Sequence, residues 1–145
     1  MSSGAESEAS KPRAIVIGHG DFSAGLVSAV DQICGMAGKL VGRSMKGLTP
    51  EDIEGSIRTE LSRTGARVIF TDLPAGSATL AARRILKEDT SIVLVSGVNL
   101  ATLLDFVFNT AATPIEPARS PADRGKASPT VGERSGWRLS SPAPW

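Results

Sequence analysis

Two polar residues, His19 and Asp72, each follow a short apolar run and could act together as a nucleophile and its orienting carboxylate. His19 is the only histidine of the chain and lies between two glycines, where backbone and ligand can approach closely. A carboxylate that accepts a hydrogen bond from one imidazole nitrogen fixes the tautomer and leaves the other nitrogen with a free lone pair. The pair predicts a nucleophilic imidazole, and a histidine that only caps a turn is the structural alternative.

The elements that would position these residues alternate strand and helix four times, which predicts an α/β domain with an open, mainly parallel sheet. Three continuous apolar runs are typical of buried strands, and a weaker run interrupted by glycine indicates an edge strand. Apolar residues at helical spacing follow these runs. The predicted strands are 14–17, 40–46, 67–71 and 91–95, and the predicted helices are 22–37 and those starting near Thr49, Ser77 and Asn99.

The order of the strands decides whether His19 and Asp72 can meet. For an open sheet of this size, with helices on both faces, we expect the order 2-1-3-4, in which the first and third strands are neighbours. Ligands bind beyond the carboxyl ends of such strands, where the strand order reverses. We therefore expect His19, after the first strand, and Asp72, after the third, to lie side by side.

The predicted helix starts suggest what this edge of the sheet binds. Helix N-termini near Asp21, Ser77 and Asn99 point at the same edge, and their unpaired N–H groups predict an anion site. A nucleophilic imidazole in such a site, without metal ligands or a second base, suits acceptance and onward transfer of a phosphoryl group. No metal or other cofactor is expected. The residues expected to bind the phosphate are Gly20, Asp21, Phe22, Gly76 and Ser77.

Length, charge and cysteine content limit which other classes of function are possible. The 145 residues suit one domain, 13–110, between a flexible leader, 1–12, and a proline- and serine-rich tail, 111–145, expected to be disordered. Lys and Arg number 16 against 15 Asp and Glu, so no net charge favours nucleic acid or an anionic membrane. The single cysteine excludes an internal disulfide. Without a signal peptide or a membrane-spanning apolar run, a cytoplasmic protein is expected.

Around the two polar residues the sequence resembles the IIA components of mannose-type sugar phosphotransferase systems, including their fructose- and N-acetylgalactosamine-type relatives. The matching stretches, in order within residues 13–109, are AIVIGHGDFSAGL (14–26), VIFTDL (68–73) and VSGVNL (95–100). The resemblance implies that His19 is phosphorylated, that Asp72 orients it and that Ser77 meets the phosphate. It also implies the phosphocarrier protein HPr as donor, a IIB component serving a membrane permease as acceptor, and a homodimer held partly by an exchanged C-terminal strand.

Departures from the family pattern leave the phosphoryl acceptor open. The family loop after the aspartate usually reads Gly-Gly-(Ser/Thr)-Pro, whereas residues 75–78 read Ala-Gly-Ser-Ala, and prolines occupy the C-terminal region. A regulatory or adaptor protein, whose phosphorylation state at His19 controls a partner, is therefore the main alternative. A relative of the dihydroxyacetone kinase phosphotransferase subunit is another. Dinucleotide binding is disfavoured because Gly25 is displaced from the third position of the glycine-rich turn and no acidic residue ends the second strand.

Overall fold

Five parallel strands form one sheet in the computed structural model, which describes residues 11–109 and 133–135. The strands are β1 Ala14–Gly18, β2 Leu40–Ser44, β3 Val68–Thr71, β4 Val93–Ser96 and β5 Glu133–Ser135. Their order is β2-β1-β3-β4-β5, and every neighbouring pair is parallel. The predicted order 2-1-3-4 is confirmed, and one further strand lies at the outer edge of β4.

Four α-helices within residues 11–109 cover the two faces of this sheet. They are α1 Phe22–Cys34, α2 Pro50–Thr64, α3 Ser77–Glu88 and α4 Leu100–Phe108. Helices α1 and α4 pack on one face through Val30 and Phe106, and α2 and α3 pack on the other through Ile57 and Ala81. The helices therefore lie on both faces, as expected.

Side-chain alternation along β1 divides the core between the two faces. Ile15 and Ile17 pack with α2 and α3, whereas Ala14 and Val16 pack with α1 and α4. All four side chains are fully buried. A strand covered on both faces has no polar side, which explains its continuous apolar sequence.

The helix boundaries follow the capping residues of the sequence. Thr49 begins α2 with a capping box: its hydroxyl accepts from the N–H of Asp52 at 3.1 Å, and the Asp52 carboxylate accepts from the N–H of Thr49 at 3.3 Å. Gly65 ends the same helix in the left-handed conformation, with φ +78°. Gly35, with φ +71°, ends α1 three residues before the predicted boundary.

Composition did not predict the strand β5, because it indicated a disordered tail over residues 111–145, and the C-terminal strand implied by the family resemblance was one exchanged between subunits. Glu133–Ser135 instead pairs with Leu94–Ser96 of β4. Pairing of this kind uses backbone groups, so a short polar segment can extend the sheet without an apolar pattern. The rest of the predicted tail, and the leader up to residue 10, lie outside the described residues.

A buried acidic residue, Glu60, ties α2 to the edge strand β2. Its side chain is 7% exposed; Oε2 accepts from Arg43, and Oε1 accepts from Nη2 of Arg63 at 2.6 Å. Burial by itself raises the pKa of the Glu60 carboxyl, but the hydrogen bonds from Arg63 and Arg43 outweigh it and lower that pKa below the ordinary 4.5. Glu60 is therefore ionised at neutral pH.

Candidate active site

His19 lies at the carboxyl end of β1, directly after the last residue of that strand. Its carbonyl accepts a hydrogen bond from the N–H of Phe22 at 3.0 Å, which closes the turn into α1. The His19 side chain is 62% exposed. The ring therefore stands outside the core, at the edge where ligands of parallel sheets bind.

Asp72 reaches His19 from the neighbouring strand. β1 and β3 pair in register with Ile17 opposite Thr71, so the residues that follow them lie level with each other. Asp72 Oδ2 accepts from the backbone N–H of His19 at 2.8 Å and lies 2.7 Å from its ring Nδ1. The Asp72 side chain is 11% exposed. The two residues meet as the predicted strand order requires.

This contact assigns different tasks to the two ring nitrogens. A carboxylate can only accept, so Nδ1 carries the hydrogen in the bond to Asp72. In the neutral ring Nε2 then holds a lone pair, and the ring carrying it is largely exposed to solvent. The arrangement can support nucleophilic attack by Nε2, with the carboxylate stabilising the positive charge that develops on the ring.

The close approach of Asp72 depends on Gly18. A Cβ at this position would lie 2.9 Å from Cδ2 of Phe22 and 3.0 Å from Cγ of Asp72. Both distances are shorter than van der Waals contact, so only glycine leaves room for the carboxylate at its observed position. Sequence reasoning identified the glycine but not this steric role.

The helix starts at this edge differ in how their N–H groups are satisfied. Asn99 caps α4, since its Oδ1 accepts from the N–H of Thr102 at 2.8 Å. Neither α1, preceded by Asp21, nor α3, preceded by Gly76, has a side-chain cap. First-turn N–H groups have no partner within their own helix, so α1 and α3 offer better anion donors than α4.

The buried hydroxyls of Thr71 and Thr79 anchor the loop between β3 and α3. Thr79 donates to the carbonyl oxygen of Leu73 at 2.5 Å, and its hydroxyl lies 2.7 Å from that of Thr71. Both threonines are buried, with relative exposures of 0% and 1%. Gly76 carries the glycine-dependent backbone conformation of this loop, with φ +145°.

Within residues 11–109 we looked for a metal site and for a membrane-spanning helix. No group of three or more His, Cys, Asp or Glu side chains there could hold a metal ion. No helix in the same range has the length and apolar character needed to cross a membrane.

A protein-family model described as "PTS system fructose IIA component" matches residues 13–119, where PTS stands for phosphotransferase system. The chain belongs to this IIA family. The matched range contains His19, Asp72 and all four helices, and it confirms the family that the sequence resemblance indicated. No curated protein sequence is a significant match.

Solved structures of IIA proteins share the fold of this IIA chain. The mannose/sorbose-specific IIA subunit from Enterococcus faecalis has a TM-score of 0.71 at 16% identity, covering 93% of this chain and 96% of that one. EIIA from Streptococcus agalactiae has a TM-score of 0.68 at 22% identity, covering 80% and 95%. The IIA protein associated with the fucose utilization operon of Streptococcus pneumoniae has a TM-score of 0.65 at 16% identity, covering 78% and 90%. The TM-scores show a common fold.

The residues predicted to bind phosphate in this IIA chain all lie at the carboxyl edge of the sheet. Gly20, Asp21 and Phe22 form the turn from the histidine into α1, and Gly76 and Ser77 form the start of α3. The Phe22 N–H is already used in that turn, so the phenyl ring and not the amide faces the site beside Gly18. Within residues 11–109, the ring of His19 forms its hydrogen bond with Asp72.

Sequence reasoning missed Thr71 and Thr79 altogether. A threonine at the end of a buried strand is unremarkable by pattern, because strands favour β-branched residues. The available signal was a second threonine eight positions later, in the first turn of the helix that returns over the same strand end. Only the path of the intervening loop shows that the two hydroxyls meet.

Proposed function

We propose that this chain is a phosphohistidine carrier, in which His19 accepts a phosphoryl group from HPr and passes it to a IIB component for sugar uptake and phosphorylation. The observation that carries the proposal is the 2.7 Å contact between His19 Nδ1 and Asp72 Oδ2, with the ring 62% exposed. Membership of the IIA family supports it, because members are components of a phosphotransferase system.

The proposed step uses Nε2 of His19 as the nucleophile towards the phosphohistidine of HPr. The lone pair of Nε2 forms a new N–P bond while the N–P bond on HPr breaks, and the electron pair of that bond returns to the donor imidazole. The His19 ring becomes positively charged, and Asp72 stabilises this charge through the retained Nδ1–H bond. Onward transfer to IIB is the same displacement with IIB as the nucleophile.

The phosphate would be held by donors at the starts of α1 and α3. We assign this role to the backbone N–H groups of Gly20, Asp21, Gly76 and Ser77 and to the exposed Ser77 hydroxyl, with the Phe22 ring lining the site. Phosphoryl transfer needs mainly alignment and donors for the equatorial oxygens, so few acid or base residues suffice. The carboxylate of Asp21 would repel the phosphate, and its contribution is limited to the N–H.

The organisation of the chain fits the same role. We propose that residues 13–110 are the phosphotransfer domain, with 1–12 as a leader and 111–145 as a tail, and that the carrier works in the cytoplasm with HPr.

We also propose that the protein is the homodimer implied by the family resemblance. Measuring the mass of the purified protein in solution tests this, and a monomer mass contradicts it.

The decisive experiment is phosphorylation from phosphoenolpyruvate with purified enzyme I and HPr. We expect an acid-labile phosphoryl group on the chain, and we assign it to the single histidine. His19→Ala should abolish the label and leave the circular dichroism spectrum unchanged, because the ring is exposed at the sheet edge. An acid-labile label retained in this variant would overturn the assignment.

A regulatory or adaptor role is the second candidate, and the loop after Asp72 favours it. Ala75 and Ala78 stand where the family usually has glycine and proline, and this loop borders the reactive ring. Incubating the phosphorylated chain with a IIB protein separates the two functions. Transfer to IIB supports the transport role, whereas phosphorylation by HPr without onward transfer supports regulation of another partner.

A further inference from the structure

A chain of buried hydroxyls connects α3 to the peptide that follows Asp72. The Leu73 carbonyl can only accept, so Thr79 is the donor in their 2.5 Å contact. Thr79 then accepts from Thr71, whose hydroxyl lies 2.7 Å away. The bonds therefore run in one direction, from the last residue of β3 through the first turn of α3 to the residue after Asp72.

These hydrogen bonds fix Asp72 from both sides. Thr71 precedes it and is held in the sheet, where its own carbonyl also accepts from the N–H of Val98 at 2.9 Å. Leu73 follows it and is held by Thr79. The carboxylate therefore projects from a residue whose two flanking peptides are anchored, although the loop beyond them contains the permissive Gly76.

We propose that Thr79 is a positioning residue that keeps the Asp72 carboxylate against His19, with Thr71 supporting it. The inference rests on the proposed phosphoryl transfer at His19 and adds a residue to it. Without the Thr79 hydroxyl the Leu73 carbonyl loses its bonded donor in a site where Thr71, 3.5 Å away, is a poor substitute. The loop would then move, and Asp72 would move with it.

The test compares Thr79→Val, which removes the hydroxyl, with Thr79→Ser, which keeps it. Two quantities are measured: the rate of phosphoryl transfer from HPr, and the tautomer of the neutral His19 ring from its nitrogen-15 chemical shifts without phosphate. For Thr79→Val we expect transfer about tenfold slower and a mixture of ring tautomers, since small displacements at a reacting centre are costly. Thr79→Ser should restore both values to within about twofold of the natural protein.

Thr64→Val is the matched control for the loss of a buried hydroxyl. Thr64 is 4% exposed, and its hydroxyl donates to the Glu60 carbonyl at 2.7 Å, beyond the opposite end of β3. This variant should lose stability but keep the natural tautomer and transfer rate. If Thr64→Val slows transfer as much as Thr79→Val does, or if Thr79→Val keeps the single Nδ1–H tautomer, the positioning role is overturned.

A second variant covers the case in which Thr79→Val does not fold. Thr71→Val removes the support for Thr79 and the long 3.5 Å contact with the Leu73 carbonyl, but keeps the Thr79 bond to that carbonyl. It should shift the tautomer in the same direction by a smaller amount; an unchanged tautomer would count against the proposal. The tautomer is measured without any phosphoryl donor, so it decides the positioning role even if the chain proves unable to accept phosphate. If the natural protein takes up no phosphoryl group from HPr, the proposed function is overturned instead.

Discussion

Asp72 and Glu60 are both largely buried carboxylates, yet their partners differ in kind. Asp72 is 11% exposed and pairs with one imidazole that is itself 62% exposed. Glu60 is 7% exposed and pairs with two arginines. An imidazole can be neutral or charged near neutral pH, whereas a guanidinium keeps its charge throughout. The ring paired with Asp72 can therefore gain a positive charge when Nε2 takes up a phosphoryl group, as proposed, whereas the arginines paired with Glu60 stay charged throughout.

If the proposed transfer takes place at His19, the difference shows that an ion pair alone does not mark a reactive site. Both carboxylates hold their partners at short distances, and both join separate elements of the fold: Asp72 accepts from His19, and Glu60 accepts from Arg43 of β2. What distinguishes Asp72 is that its partner has a second nitrogen turned away from the bond, at the ligand-binding edge of the sheet. Glu60 has no such neighbour and serves to fix α2 against β2.

The largest expected effect comes from removing the charge of Asp72. Asp72→Asn keeps the size of the side chain but loses both control of the tautomer and stabilisation of the positive ring, so transfer from HPr should slow by about 100-fold or more. Glu60→Gln makes the same chemical change at the other carboxylate and should leave the rate within about twofold. Equal rates for Asp72→Asn and the natural protein would show that the carboxylate only fixes the turn.

A smaller effect is expected from crowding Asp72 without changing its charge. Gly18→Ala places a Cβ 3.0 Å from Cγ of Asp72, so the carboxylate must move, and transfer should slow by about tenfold. Gly25→Ala is the control, because a Cβ there meets nothing within 4 Å. Stopped-flow or quenched transfer assays with both variants measure the difference. A Gly18→Ala protein as fast as Gly25→Ala would contradict the steric role.

The smallest effect on transfer, but a clear one on stability, is expected at Glu60. Glu60→Gln should lower the free energy of unfolding at neutral pH by about 2 kcal/mol, the size of hydrogen bonds between charged groups. Because the folded pKa of Glu60 lies below 4.5, its stabilisation is complete above that pH and is lost as the pH falls through the lowered value. Urea unfolding of both proteins at neutral pH and in acid should therefore give a difference that shrinks in acid; a constant difference would contradict the charge-based account.

The sequence predicted the parts of this molecule that depend on local pattern and on general rules of topology. Apolar runs placed the four main strands, capping residues such as Thr49 and Gly65 placed the ends of α2, and the strand order placed His19 beside Asp72. The strands and helix ends follow from burial and hydrogen bonding of residues close in sequence, and the strand order follows from the usual topology of small parallel sheets. Together, the pattern of strands and helices and the usual topology leave few alternative folds for a chain of this length.

The remaining features depend on contacts between segments whose path has no local pattern. Glu133–Ser135 is a polar segment without strand alternation, so only its pairing with β4 reveals it. The bond between Thr79 and Leu73 depends on how the intervening loop turns at Gly76. The requirement for Gly18 depends on the distance to Asp72, which is fixed by the sheet and not by neighbouring residues.

The double contact of Asp72 with His19 also sets the order of events in the proposed relay. One oxygen, Oδ2, holds both the main chain and Nδ1 of His19, so the imidazole cannot swing between two docking places without breaking its anchor. A single outward-facing nitrogen can meet only one protein at a time. Donor and acceptor must consequently visit in turn, and steady-state kinetics should follow a ping-pong scheme.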